Sequence, residues 1–175
     1  CEQCLRQPQM LSTLLSSDIL YRPQSSGQLR TALAKNMAFV EDFDQLCRCL
    51  RQFRRQQMCR IIFRDFNRLA SLEDTTGELS SLADNCIDLS LNWLYRRLIA
   101  EWGTPVDDDG IPQQMSVVGM GKLGARELNL SSDIDLIFAY PSQGETRGGP
   151  RQVENQKFFL KLGQQLIKSL DQWTA

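Results

Sequence analysis

Apolar residues recur at steps of mostly three and four through residues 41–70: Phe43, Leu46, Cys47, Leu50, Phe53, Met58, Ile61, Ile62, Phe66 and Leu69. That is the period of one helical face. A second helical pattern runs through 78–102, where Leu79, Leu82, Ala83, Cys86, Ile87, Leu91, Leu94, Tyr95, Leu98 and Ile99 form one broad apolar stripe. Gly103 and Pro105 predict its end. A third covers 153–170, with Phe158, Phe159, Leu162, Leu166, Ile167 and Leu170 on one side. Residues 1–36 read as short helical pieces, broken at 22–27, where Arg-Pro-Gln-Ser-Ser-Gly stands. Two strands are expected. Met115–Val118 enters a glycine-rich loop, and Ile134–Tyr140, which carries Asp135 at its start, reads as a second strand. Between helices and strands, 106–112 has the composition of a linker. The class is therefore α+β and mostly helical: a helical region over 1–105, the linker, and a small α/β unit over 113–175.

The arginines change the picture of the first long helix. Arg48, Arg51, Arg54, Arg55, Arg60, Arg64 and Arg68 decorate it. At 100° per residue they point in several directions, so a solvated face with intramolecular ion pairs is favoured over a single phosphate-binding stripe. The charge of the whole chain agrees. Over 175 residues, 20 Lys+Arg stand against 21 Asp+Glu, a formal net charge of −1, which gives no case for nucleic acid or membrane partners. No apolar run approaches the roughly 20 residues of a membrane span, and the start of the sequence does not read as a signal peptide. It lacks an initiator Met, so the expectation is a piece of a longer cytoplasmic protein.

Histidine is absent. That excludes Ser-His-Asp and Cys-His catalysis and HExxH zinc sites on this chain. Six cysteines remain, at 1, 4, 47, 49, 59 and 86. Cys1-x-x-Cys4 has no second pair to complete a zinc site, and the other four sit in helical patterns as small buried hydrophobes. Asp107, Asp108 and Asp109 lack the alternating ligands of a calcium loop and read as solvated.

The chemistry concentrates in Val117–Phe138. Gly119, Gly121 and Gly124 match GxGxxG, but a dinucleotide unit needs a full crossover helix, and only a turn or two fits before the next strand. Lys122 is followed by Leu123, so a Walker loop fails as well. The other reading is metal-dependent nucleotidyl transfer. Asp133 and Asp135 alternate with Ile134 and Leu136, so a strand would put both carboxylates on one face. Their Cα atoms would be about 6.5–7 Å apart, a spacing that can bracket two magnesium ions. Glycine backbone amides can cradle phosphate oxygens, with Lys122 adding charge.

Gly119–Gly124 as Gly-Met-Gly-Lys-Leu-Gly, then Glu127-Leu128-Asn129, then Ser131-Ser132-Asp133-Ile134-Asp135-Leu136-Ile137-Phe138 resembles the bifunctional glutamine synthetase adenylyltransferase/adenylyl-removing enzymes. These belong to the DNA polymerase beta-like nucleotidyltransferase superfamily. Residues 58–65, 144–149 and 158–172 also resemble that family, so the likeness covers most of the chain from about residue 40. Val118-Gly119-Met120 and Met120-Gly121-Lys122 both fit the superfamily spacing, so either glycine can hold the motif position. The resemblance implies a small mixed sheet flanked by helices, incomplete at the C-terminus, because the family's third catalytic Asp lies on a later strand. It implies Asp133 and Asp135 as catalytic metal ligands for Mg2+ (or Mn2+). It also implies phosphate or nucleotide binding by Gly119, Gly121 and Lys122, with Ser131 and Ser132 orienting the loop.

The wording Asn129–Asp135, with Gly148-Gly149, is more similar to the half that removes AMP from glutamine synthetase by phosphorolysis. The partners so implied are glutamine synthetase, a nitrogen-regulatory PII protein, ADP or ATP, and phosphate. The rivals are ATP-dependent adenylylation of glutamine synthetase or another acceptor, and a catalytically silent interaction module.

Overall fold

Capping chemistry sets where the helices begin. The structure is a computed structural model and describes residues 20–171. Its first helix, α1, is Ser26–Met37, and Ser25 caps it by accepting from the Gln28 N–H while the Gln28 side chain returns to the Ser25 N–H. Such a reciprocal box satisfies two orphan donors of the first turn. The sequence break therefore lies before Ser26, and Ser26 and Gly27 are already helical. Helix α2 is Phe43–Phe66, started by Asp42 accepting from Gln45 N–H. Helix α3 is Leu72–Trp102, with a second box between Ser71 and Asp74. It starts six residues before the expected 78, because its first turn carries cap residues rather than an apolar stripe. The Cys1-x-x-Cys4 pair lies outside the described residues.

Helix α2 ends before the apolar pattern does. Arg68 adopts φ +55°, Leu69 N–H donates to Arg64 O at 2.8 Å, and Arg68 N–H donates to Asp65 O at 3.0 Å. These two bonds are the Schellman pattern. Phe66 and Leu69 are consequently exposed rather than in the core.

After α3, strand β1 is Thr104–Val106, strand β2 is Ser116–Gly119, and helix α4 is the single turn Gly121–Gly124. Strand β3 (Leu136–Ala139), strand β4 (Glu145–Arg147) and helix α5 (Asn155–Asp171) complete the described elements. The expected mixed sheet is instead two separate antiparallel pairs, β1 with β4 and β2 with β3. Each strand has only three or four residues, and the chain after β3 turns away to pair β4 with β1. Residues 106–112 form a built turn: Asp107 accepts from Ile111 N–H at 2.8 Å and from the Gln113 side chain at 3.1 Å.

Gly103 ends α3 at φ +86°. A Cβ there would lie 2.5 Å from Arg147 O, and one on Gly149 would lie 2.1 Å from Gly103 N. The two glycines let the end of α3 and the chain leaving β4 meet backbone to backbone.

One hydrophobic cluster runs from Leu29 to Leu170 and joins all four long helices. Helix α5 buries Phe158, Phe159, Leu162, Leu166 and Leu170, while Ile167 is half exposed. Phe158 meets Tyr95 and Trp102 edge-on. Cys47 and Cys86 are buried, and Cys49 and Cys59 are half-buried. Burial pushes Cys86 up to about 12 and raises Cys47 and Cys49, which keeps them protonated and poorly nucleophilic.

Two arginines of α2 depart from the expected solvated face, though they keep the expected intramolecular pairing. Arg60 and Arg64 are fully buried. Arg60 pairs with Glu78 of α3, and Arg64 donates to Leu20 O and Leu69 O, both at 3.1 Å. Among the described residues, no helix is long and apolar enough to cross a membrane.

Candidate active site

The β2–β3 hairpin places the two carboxylates. Its register pairs Val118 with Ile137 and Gly119 with Leu136, and Met120 N–H extends the ladder by donating to Asp135 O at 2.9 Å. Strand β3 begins at Leu136, so Asp135 sits at the ladder's end rather than inside a strand starting at 134, and Asp133 lies two residues before it. Pairing stops there because the opposite chain turns into α4. The period-two alternation nevertheless continues through the carboxylates. Ile134, Leu136, Phe138 and Tyr140 are half-buried against the core. Asp133, Asp135 and Ile137 are exposed between them, with Val118 and Met120 also exposed on β2 and its extension.

The glycines of the turn do different work. Gly121 has φ +53°, a conformation only glycine adopts cheaply. A Cβ there would stand 3.8 Å from Asp135 Oδ2, so Gly121 borders the carboxylate. Gly124 packs against the backbone, where a Cβ would lie 2.6 Å from Gly119 O. Antiparallel β2 and β3, joined through a four-residue helix, exclude the parallel crossover of a dinucleotide unit. Lys122 is exposed.

Helix α3 steadies the loop that precedes the carboxylates. Leu123 and Leu128 are both buried. Leu128 N–H donates to Ser80 Oγ at 3.4 Å, and Arg126, at φ +60°, donates to Ser81 Oγ at 3.3 Å. Asn129 Oδ1 then accepts from the Ser131 N–H at 3.2 Å, from the Ser131 hydroxyl at 3.3 Å and from the Ser132 hydroxyl at 2.7 Å. Ser131 and Ser132 thus spend their protons shaping the turn that delivers Asp133. Arg54 and Met58 of α2 line a small cavity of about 30 Å³ with Leu130, Ser132 and Ile134. Burial lowers the Arg54 guanidinium to about 9, which still leaves it charged at neutral pH.

Ser80, Ser81, Arg126, Asn129 and Arg54 were not anticipated from the sequence. The only trace of Ser80 and Ser81 is a pair of small polar residues inside the apolar stripe of α3.

The donors of Asp133 and Asp135 are hard oxygens, suited to Mg2+ or Mn2+. They share one open face, and neither makes an ion pair among the described residues. No group of three or more candidate ligands occurs among the described residues. By chemistry the pair can supply two oxygen ligands to such an ion.

A model of the family described as Glutamate-ammonia ligase adenylyltransferase matches residues 1–175. A bifunctional glutamine synthetase adenylyltransferase/adenylyl-removing enzyme of Pseudomonas aeruginosa is 52% identical over 175 residues, 99% of this chain and 18% of that protein. Proteins of the same description from Pseudomonas syringae pv. tomato and Hahella chejuensis are 52% and 46% identical over 99% and 98% of the chain, again 18% of their length. The chain thus spans about a fifth of the length of these relatives.

Proposed function

The chain belongs to the glutamate-ammonia ligase adenylyltransferase family, and on that premise we propose that it carries part of a site that removes AMP from adenylylated glutamine synthetase. In this reading inorganic phosphate attacks the phosphorus of the tyrosyl–AMP ester. The bond to the tyrosine oxygen breaks, ADP leaves, and the tyrosine hydroxyl regains its proton. The observation that carries the reading is the Asp133 and Asp135 pair on one open face, with Gly121 beside Asp135. A bound Mg2+ or Mn2+ held by these two residues would neutralise phosphate charge and favour an attacking or leaving oxygen anion. The chain's own part is positioning. Backbone amides at the start of the Gly121–Gly124 turn would receive phosphate oxygens, Lys122 would add a cation, and the Asn129–Ser132 turn fixes where Asp133 emerges. Glutamine synthetase is the protein substrate, a PII protein the regulator, and the cytoplasm the location.

The test replaces the matching segment of the Pseudomonas aeruginosa relative with these 175 residues. ADP released from adenylylated glutamine synthetase is measured with phosphate and Mg2+. Asp133→Asn and Asp135→Asn are each expected to lower the rate roughly 100-fold or more, the scale of several kcal/mol of charge stabilisation. If both variants release ADP at the parent rate, the carboxylates are not the site. If their loss instead abolishes AMP transfer from ATP while ADP release persists, this segment serves the opposite reaction.

A further inference from the structure

A groove of about 740 Å³ lies between α1, the loop after it and α3. It shares no lining residue with the carboxylate hairpin. Its floor is apolar, made by Ala34, Met37, Val40, Leu89 and Trp93. Phe39, next in sequence to the lining residues Ala38 and Val40, is 86% exposed. Apolar residues grouped around an aromatic in an open groove are the composition of a binding surface rather than of ordinary surface.

The wall is basic. Arg30, Arg96 and Arg97 line it, against Glu41. Arg30 is answered by Asp88, 2.6 Å away, with both side chains about half exposed. Arg97 is pre-arranged: its guanidinium lies 5.4 Å from the Trp93 ring centroid and donates to Glu41 O at 2.8 Å. Trp93 is held in turn by its Nε1–H donating to Val40 O at 3.3 Å. Arg96 is exposed. Neither Arg96 nor Arg97 has a carboxylate partner among the described residues. Two guanidiniums beside a fixed indole recognise carboxylates at low ordering cost, and Arg and Trp are the residue types enriched where binding energy concentrates.

We infer that this groove docks an acidic peptide segment of a partner protein, with apolar side chains in the trough and carboxylates on Arg96 and Arg97. A nucleic acid fits less well. Ala34, Met37, Val40, Leu89 and Trp93 offer nothing to a phosphate chain but suit the apolar side chains of a peptide.

The probe is a random peptide library displayed on phage and panned against the 175-residue chain. Arg96→Glu is the counter-target, chosen because an exposed arginine without an ion pair contributes little to folding. Circular dichroism checks that it folds as the parent does. The expected enriched peptides carry two or more Asp or Glu flanking Leu, Phe or Trp. As synthetic peptides they should shift the Trp93 indole N–H resonance, bind Arg96→Glu at least about tenfold more weakly, and weaken with added salt. Four outcomes overturn the proposal: no enrichment, peptides without acidic residues, equal binding to Arg96→Glu, or tighter binding of a single-stranded oligonucleotide in competition. Concentration-dependent dimerisation of the chain that Arg96→Glu abolishes would also overturn it, by naming a second copy as the occupant.

Discussion

Backbone sign decides what several single residues do here. Arg68 sits at φ +55° as the left-handed residue after α2, where its N–H and that of Leu69 close the helix end. A non-glycine residue in this conformation costs about 1–2 kcal/mol. Arg68 is exposed, so its side chain has little to lose. Arg68→Gly is therefore expected to stabilise the chain by about 1 kcal/mol, read as a higher urea midpoint at unchanged slope. A lower midpoint would show that the Arg68 side chain contributes more than its backbone strain costs. Gly121 is the reverse case, a strained position already filled by the residue that tolerates it. The sequence displayed Gly121 as part of a motif, whereas nothing in the sequence marked Arg68, since arginine carries no signature of a left-handed turn.

At the scale of elements, helix α3 shows what periodicity reveals and what it conceals. Its apolar stripe from Leu79 to Ile99 is plain in the sequence because little besides an amphipathic helix sustains 3.6-residue repetition over many turns. Its start at Leu72 is concealed because a capping box replaces apolar repetition in the first turn. Ser71-Leu-Glu-Asp74 carries that signal in local chemistry instead. The box also makes a pH prediction. Hydrogen bonds from the Ser71 backbone and hydroxyl hold the Asp74 carboxyl below its ordinary value. Its stabilisation is present above the unfolded carboxylate's range and is lost as pH falls through the folded value. Asp74→Asn should thus lower the thermal midpoint at pH 7, and the gap to the parent should narrow steadily once the pH drops below 3.8. A gap that stays constant into acid would mean that the carboxylate charge plays no part in the cap. The hairpin shows a different limit. The alternation at Asp133 and Asp135 was legible, and the structure keeps both on the exposed face. The length of the strand was not, because β3 stops pairing where β2 turns into α4, a tertiary event. The hold of Ser80 and Ser81 on that loop was equally hidden, since small polar residues in a buried stripe do not announce their partners.

At the scale of the whole molecule, the helical half is tied together by one buried ionic cluster that the sequence showed only as part of a basic helix. Glu78 of α3 faces Arg60 and Arg64 of α2. Its Oε1 also accepts from Gln24 N–H at 3.0 Å, and Arg64 reaches Leu20 O and Leu69 O. One carboxylate thus joins the segment before α1, both long helices and the turn between them. The two arginines are at most 2% exposed, so water cannot replace Glu78 if its charge is removed. Glu78→Gln keeps the shape and the acceptor for Gln24 but leaves two buried guanidiniums without a counter-charge. The expected cost is about 3–5 kcal/mol, a large part of the roughly 5–15 kcal/mol that holds a domain together, and chemical denaturation measures it directly. A loss below about 1 kcal/mol would show that water reaches the cluster. The double variant Arg60→Met, Glu78→Leu distinguishes two roles for the bridge. Removing both partners of a buried ion pair is often nearly neutral, and here Gln57 also releases its bond to Arg60. Recovery of most of the Glu78→Gln loss would mean that the pair specifies how α2 docks on α3 rather than stabilising it. Failure to recover would place the cost on Arg64, which keeps its charge in that variant with only the Leu20 and Leu69 carbonyls left to answer it.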